Sequence, residues 1–169
     1  MSAEEILDVV DAEDRVIGQA SRAVVYGQGL THRAVFVLVR DPAGRIFVHR
    51  RTETKMSFPG WYDMFVGGVV GAGEAYDEAA RREAEEELGV SGLDGPTPLF
   101  RFLYHYPAEG SSWWSAVYEL RCDRPVHPQV EEIAWYDWVS EAELDRMLTE
   151  HDWTPDSVEA WERLTARPR

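Results

Sequence analysis

Three glutamates, Glu83, Glu86 and Glu87, stand at i, i+3 and i+4 in a stretch rich in Ala, Glu and Arg. In a helix, that spacing puts all three on one face. Glu83 and Glu87 are then a like-charge i,i+4 pair, which weakens a helix. Arg82 offsets Glu86 at i+4, but one guanidinium does not neutralise the cluster. A bound divalent cation would. Carboxylate oxygens with no His or Cys among them suit Mg²⁺ or Mn²⁺ rather than zinc. Mg²⁺ held by one or two carboxylates keeps waters and takes substrate phosphates as further ligands. The chemistry this face could support is therefore work on a diphosphate. The plainer reading of a Glu-rich helix is a solvated acidic face, and Glu85 is read that way.

The elements around this face must position it. Gly67-Gly68 and Gly71-Ala72-Gly73 precede it and let backbone approach a ligand closely. A helix is expected from Glu74 to Leu88, stopped by Gly89, with Ala80, Ala84 and Leu88 as the stripe that lies on a sheet. Strands are expected at Ala34–Val39, Arg45–His49, Phe65–Val70, Leu99–Tyr106, Trp113–Leu120 and Ile133–Val139. Asp41-Pro42-Ala43-Gly44 is the turn between the first two. Ile6–Val10 and Val16–Ile17 read as a small hairpin within residues 1–30. Ser140 to Glu143 is a capping box opening a short helix to about Leu148. Thr154-Pro155 opens a final helix through Trp161 to Leu164. Three helices among irregularly spaced strands imply an α/β (α+β) fold with a mixed sheet, not a regular doubly wound one.

A chain of 169 residues is expected to form a single domain, 1–169. With 31 acidic and 17 basic residues its formal charge is −14, which argues against long nucleic acid or an anionic membrane surface as a partner. The single cysteine, Cys122, excludes an intrachain disulfide and a Cys-rich zinc site. The first ten residues lack a basic n-region, and no apolar run approaches the roughly 20 residues of a membrane span. The expected location is the cytoplasm.

The pattern Gly68, Glu74, Arg82, Glu83, Glu86, Glu87 and Gly89, with apolar Ala84 and Val90, resembles the Nudix box at every fixed position, over residues 68–90. The resemblance implies an α/β/α sandwich around a mixed β-sheet. It implies Glu83, Glu86, Glu87 and the Gly68 carbonyl as metal ligands for Mg²⁺ or Mn²⁺. Arg82 would orient the glutamates, and Glu74 and Gly89 would be structural. The implied activity is hydrolysis of a pyrophosphate bond in a small organic diphosphate, a nucleoside diphosphate derivative, by metal-activated water. Glu83 and Glu86 are candidate general bases. Glu131 and Glu132, ahead of the last strand, are alternatives, with a structural role equally open.

Outside the box, Leu30 to Val35, Arg50-Arg51-Thr52, Thr54-Lys55, Pro59-Gly60, Asp63 and Thr154-Pro155-Asp156-Ser157 resemble the isopentenyl-diphosphate-isomerase-like branch of that superfamily. Within that branch the similarity is to bacterial hydrolases of the YfcD type. The isomerase is the rival activity. It needs a cysteine followed by Gly-His after the Pro-Gly, where this chain has Gly67, Gly68 and Val69, and only His32 remains of its metal site. A catalytically silent nucleotide-binding module is a third reading, opposed by the complete box.

Smaller signals concern the substrate. Arg50 and Arg51 fall on opposite faces of a strand, so one of them faces a ligand. Arg51 and Lys55 are the candidates to clamp a diphosphate. Trp61 is the candidate to stack on a planar group, with Trp113 and Trp114 behind it. Trp135, Trp138 and Trp161 are read as core, and Cys122 as a buried bystander.

Overall fold

The structure is a computed structural model and describes residues 2–168. The chain opens with a hairpin of β1 (Ile6–Val10) and β2 (Val16–Ser21), then α1 (Arg22–Gln28). β3 (His32–Arg40), β4 (Ile46–Arg51), β5 (Tyr62–Asp63) and β6 (Val66–Val69) follow, then α2 (Tyr76–Leu88). The remainder is β7 (Thr97–Tyr106), β8 (Ser111–Arg121), β9 (Ile133–Val139), α3 (Glu141–Met147) and α4 (Pro155–Thr165).

β3 through β9 form one seven-stranded mixed sheet. Its main path is β5-β4-β3-β8-β7, with β6 on β3 and β9 on β4. The β3–β8 pairing is parallel and the others are antiparallel. Strand β3 shows why helices cover both faces. Val35, Val37 and Val39 pack with Ala80, Ala84 and Leu88 of α2. Ala34, Phe36 and Leu38 point the other way, among Leu144 of α3 and Ala160 and Trp161 of α4. A period-2 strand that is apolar throughout needs a layer on each side. The result is an α/β/α sandwich, as the resemblance implies.

Among the described residues there are four helices, one more than the sequence predicts. The unforeseen one is α1, seven residues long, whose start Ser21 caps through its side chain. Its apolar residues Ala23–Tyr26 are consecutive in only two turns, so they show no 3.6-residue stripe. Its place comes from packing: Val25 joins Leu7 of β1 and Val69 of β6 in a small third core. β2 also runs to Ser21, well past Val16–Ile17. One core assignment needs correction. Trp135 is 40% exposed, because β9 is an edge strand paired only with β4, whereas Trp138 is half-buried and packs against the α2-side core. Trp161 is buried as expected. β7 starts at Thr97, two residues before the expected Leu99, and takes in Pro98 at a bulge on an edge strand, where a missing N–H costs nothing. No helix among the described residues is long and apolar enough to cross a membrane.

Candidate active site

Helix α2 carries the glutamates, and its ends hold it in register. At the start, the Glu78 carboxylate accepts from the Ala75 N–H at 3.1 Å. At the end, Gly89 takes φ 63°, the left-handed conformation that closes a helix. A Cβ on Gly89 would also lie 1.9 Å from the His127 carbonyl oxygen, so glycine is required twice over. Glu85, expected to be merely solvated, accepts from the Gly92 and Leu93 N–H groups at 2.9 and 3.1 Å. It secures the turn after the helix.

Arg82 binds the loop to the helix face. Its Nε and Nη2 donate to the two Glu74 oxygens at 2.8 and 3.0 Å, and its Nη1 donates to Glu83 Oε1 at 2.7 Å. Glu74 Oε2 also accepts from the Gly71 N–H at 2.9 Å. This forked geometry is specific to arginine. The same Nη1 lies 3.6 Å from Glu86.

The three glutamates differ in environment. Glu83 and Glu87 are buried, at 2% and 5% exposure, while Glu86 lies on the exposed edge of the face. Residues at i and i+4 both look down onto β6, and i+3 lies at the rim. The Glu83 carboxylate rests directly on Gly68, where a Cβ would stand 2.7 Å from it. Burial pushes the Glu83 carboxyl up, against the pull of Arg82. Burial, then the charge of Glu83, push Glu87 up to about 8. Lys55 and Arg51 oppose that rise. The Lys55 ammonium itself contacts the Glu132 carboxylate. Its pKa is lowered, first by burial. Among the described residues no three His, Cys, Asp or Glu side chains converge on one point. Two buried carboxylates, the charge of Glu83 raising Glu87, beside Gly68 nevertheless form an oxygen donor set that a cation would relieve. That set fits a hard divalent cation.

Beside this face lies a cavity of about 480 Å³. Gly68 and Glu87 form part of its wall, and Arg22, Arg51 and Lys55 supply cations. Arg51 is oriented by donating Nε and Nη2 to the Ser57 carbonyl at 3.2 and 2.9 Å. Arg50 turns to a separate groove beside Tyr62 and His151, as strand alternation demands. Trp61 lines the cavity and packs on Phe58 with ring centroids 5.4 Å apart. Trp113 lines it too, next to His32 at 5.8 Å. Trp114 does not line it; its indole N–H donates to the Asp11 carbonyl at 3.2 Å. Glu83, Glu86, Arg82 and Glu74 are not in the cavity wall; the first lies behind Gly68. Cys122 is buried in the α2-side core and is not among the lining residues.

Arg22 is the residue the sequence reading missed most completely. It is 8% exposed, and its Nε and Nη1 form no hydrogen bond. Its nearest carboxylate is Glu5, at 3.7 Å. A lone arginine between Ser21 and the apolar Ala23–Tyr26 carries no local signal. Asp63, Thr154 and Asp156 also line the cavity; they sit in quoted motifs, but their burial depends on a tertiary junction.

Residues 30–161 match the NUDIX domain. The chain belongs to the Nudix hydrolase family. It is 62% identical over 165 residues to the uncharacterized Nudix hydrolase SCO1686 of Streptomyces coelicolor, covering 98% of this chain and 91% of that one. It is 37% identical over 171 residues to the uncharacterized Nudix hydrolase YfcD of Escherichia coli, covering 99% and 92%. Among solved structures it is similar to DR0079 from Deinococcus radiodurans, with 34% identity, a TM-score of 0.76, and 94% and 98% of the two chains covered. A MutT protein from Methanosarcina mazei, at 22% identity and a TM-score of 0.64, shares the fold. The matched stretch begins at residue 30, so β1, β2 and α1 of this Nudix hydrolase lie outside it, and Arg22 reaches the cavity from there.

Proposed function

We propose that this Nudix hydrolase cleaves the pyrophosphate bond of a small organic diphosphate, a nucleoside diphosphate derivative, with Mg²⁺ as the metal and Mn²⁺ as a substitute. The observation that carries this reading is the shared wall: one cavity touches Gly68 and Glu87 of the box and also Arg51, Lys55 and Arg22. Glu83, Glu86, Glu87 and the Gly68 carbonyl would hold the cation. A bound divalent ion supplies a lowered pKa for water and neutralises phosphoryl charge. Arg82 orients Glu83 through its 2.7 Å hydrogen bond. Arg51, Lys55 and Arg22 bind the diphosphate, and Trp61 packs against the attached group. Glu83 and Glu86 are the candidate proton acceptors. The cavity has no thiol in its wall among the described residues, which favours hydrolysis over isomerisation.

The test is a panel of nucleoside, sugar, coenzyme and isoprenoid diphosphates incubated with Mg²⁺. Products are identified by mass, with labelled water to mark the phosphorus attacked. Label in a released phosphate or nucleoside monophosphate supports the reading. Double-bond migration without phosphate release would replace it with the isomerase.

A further inference from the structure

The cavity has an acidic floor that the hydrolysis above does not use. The Tyr62 N–H donates to the Asp152 carbonyl at 2.8 Å, and the Thr154 N–H to the Tyr62 carbonyl at 3.0 Å. This stitch joins β5 to the start of α4 as a parallel bridge between Tyr62 and Trp153. It sets Asp63 beside Thr154 and Asp156, and all three line the cavity. They are 6%, 2% and 8% exposed.

These groups are short of partners. Asp63 Oδ1 accepts from the Phe65 N–H at 2.8 Å, and Asp156 Oδ1 from the Ser157 N–H at 3.0 Å. No side chain donates to Asp156 among the described residues. Thr154 precedes Pro155 at the helix start, yet its side chain caps nothing. Its Oγ1 is buried beside Asp63 and has no partner in good hydrogen-bond geometry. A buried polar atom left unpaired is costly, and a ligand removes that cost by supplying the partner. Burial, and then the charge of Asp63, push Asp156 up to about 7. Burial raises Asp63 as well, against Arg51. The floor offers buried carboxyl and hydroxyl oxygens and no cation of its own, so it suits hydrogen-bond donors better than phosphate. Arg51 lowers both carboxyls and Glu87, and it lines the same cavity.

We propose that Asp63, Thr154 and Asp156 form a specificity subsite that reads hydrogen-bond donors, amino or hydroxyl groups, on the organic group attached to the diphosphate. The subsite rests on the diphosphate reading above. It orients the ligand with its phosphates toward Arg51 and Lys55 and its donors on the floor. It selects against purely apolar prenyl groups, which bring no donor to Thr154 Oγ1 or to the two carboxylates.

The test uses the full chain with Mg²⁺ and four ligands: ADP, purine riboside diphosphate, 2′,3′-dideoxy-ADP and isopentenyl diphosphate. ADP is expected to exceed isopentenyl diphosphate in kcat/KM by at least about 100-fold. One of the two deletion analogues should fall toward isopentenyl diphosphate. Loss with purine riboside diphosphate assigns the donor to the base amine; loss with the dideoxy analogue assigns it to the ribose. Asp156→Asn and Thr154→Val should each lose more on ADP than on isopentenyl diphosphate, narrowing the ratio to about tenfold or less. Thr154→Val keeps the test open if the aspartate variant does not fold. Equal handling of all four ligands, or variants that depress all four alike, overturns the subsite. Calorimetric binding of the same ligands in Ca²⁺ separates the two readings. Ranked binding without turnover defeats hydrolysis and leaves the subsite standing; turnover without ranking defeats the subsite alone.

Discussion

Glu87→Gln should make the metal-free protein more stable and the enzyme nearly inactive. The Glu87 carboxyl is buried beside Glu83, and its pKa rises from 4.5 to about 8. An acid whose folded pKa is raised contributes no penalty below its unfolded pKa. It costs stability progressively as pH climbs through the window to the folded value. Here that window runs from 4.5 to about 8. At about 1.4 kcal/mol per pH unit, the raised pKa of Glu87 costs roughly 2–4 kcal/mol at pH 7.5, with the counter-charge of Lys55 already at work. Glutamine keeps the shape and removes the ionisation. In EDTA, urea denaturation at pH 5 to 8 should show the variant gaining on the wild type steadily as pH rises. With Mg²⁺ added, the order reverses. The wild type should gain stability from the ion by mass action, and the variant should gain little. Hydrolysis should fall at least about a hundredfold, the size of a lost electrostatic contribution at phosphorus. A variant less stable than wild type in EDTA at pH 7.5, or a difference flat with pH, would refute the electrostatic argument. Near-unchanged kcat would refute the metal assignment.

Gly89→Ala combines a left-handed backbone with a Cβ placed 1.9 Å from the His127 carbonyl oxygen. It should cost at least about 2 kcal/mol in urea unfolding, and a loss well under 1 kcal/mol would show the turn to be free to move. His49 is fully buried and neutral, with its pKa lowered from 6.5 to about 3, first by burial. The unfolded state takes up that proton first, so stability falls as pH drops below about 6.5. Between pH 7.5 and 5.0 the wild type should lose about 2 kcal/mol more than His49→Leu, and parallel pH curves would contradict this. Cys122→Ala should leave kcat/KM unchanged and cost about 1 kcal/mol of stability; lost turnover would revive a thiol mechanism.

Much of the local architecture is legible without coordinates. The α2 helix ends on Gly89 as its αL signal requires, and β9 covers Ile133–Val139 as its alternation suggests. The Ser140–Glu143 box opens α3 with both halves formed. Each depends on neighbours within a few residues. α1 was illegible because its position depends on Leu7 and Val69, not on its own periodicity. Trp135 misled because an aromatic strand residue reads as core whether its strand is central or at an edge. The glutamate face was legible as a face, but its split into two buried carboxylates and one exposed one was not. Helical spacing gives direction and not depth.

The sequence by itself determined the family, the helix that bears Glu83, Glu86 and Glu87, and the glycines that let Gly68 approach it. Those features are local, written in spacings of a few residues and in backbone angles. Only the tertiary structure decided which carboxylates lose water, which arginine faces the cavity, and that Arg22, Asp63, Thr154 and Asp156 meet there. The physical reason is that desolvation and charge coupling act through space. A carboxyl acquires its chemistry from what buries it, and what buries Asp63 and Asp156 comes from distant parts of the chain.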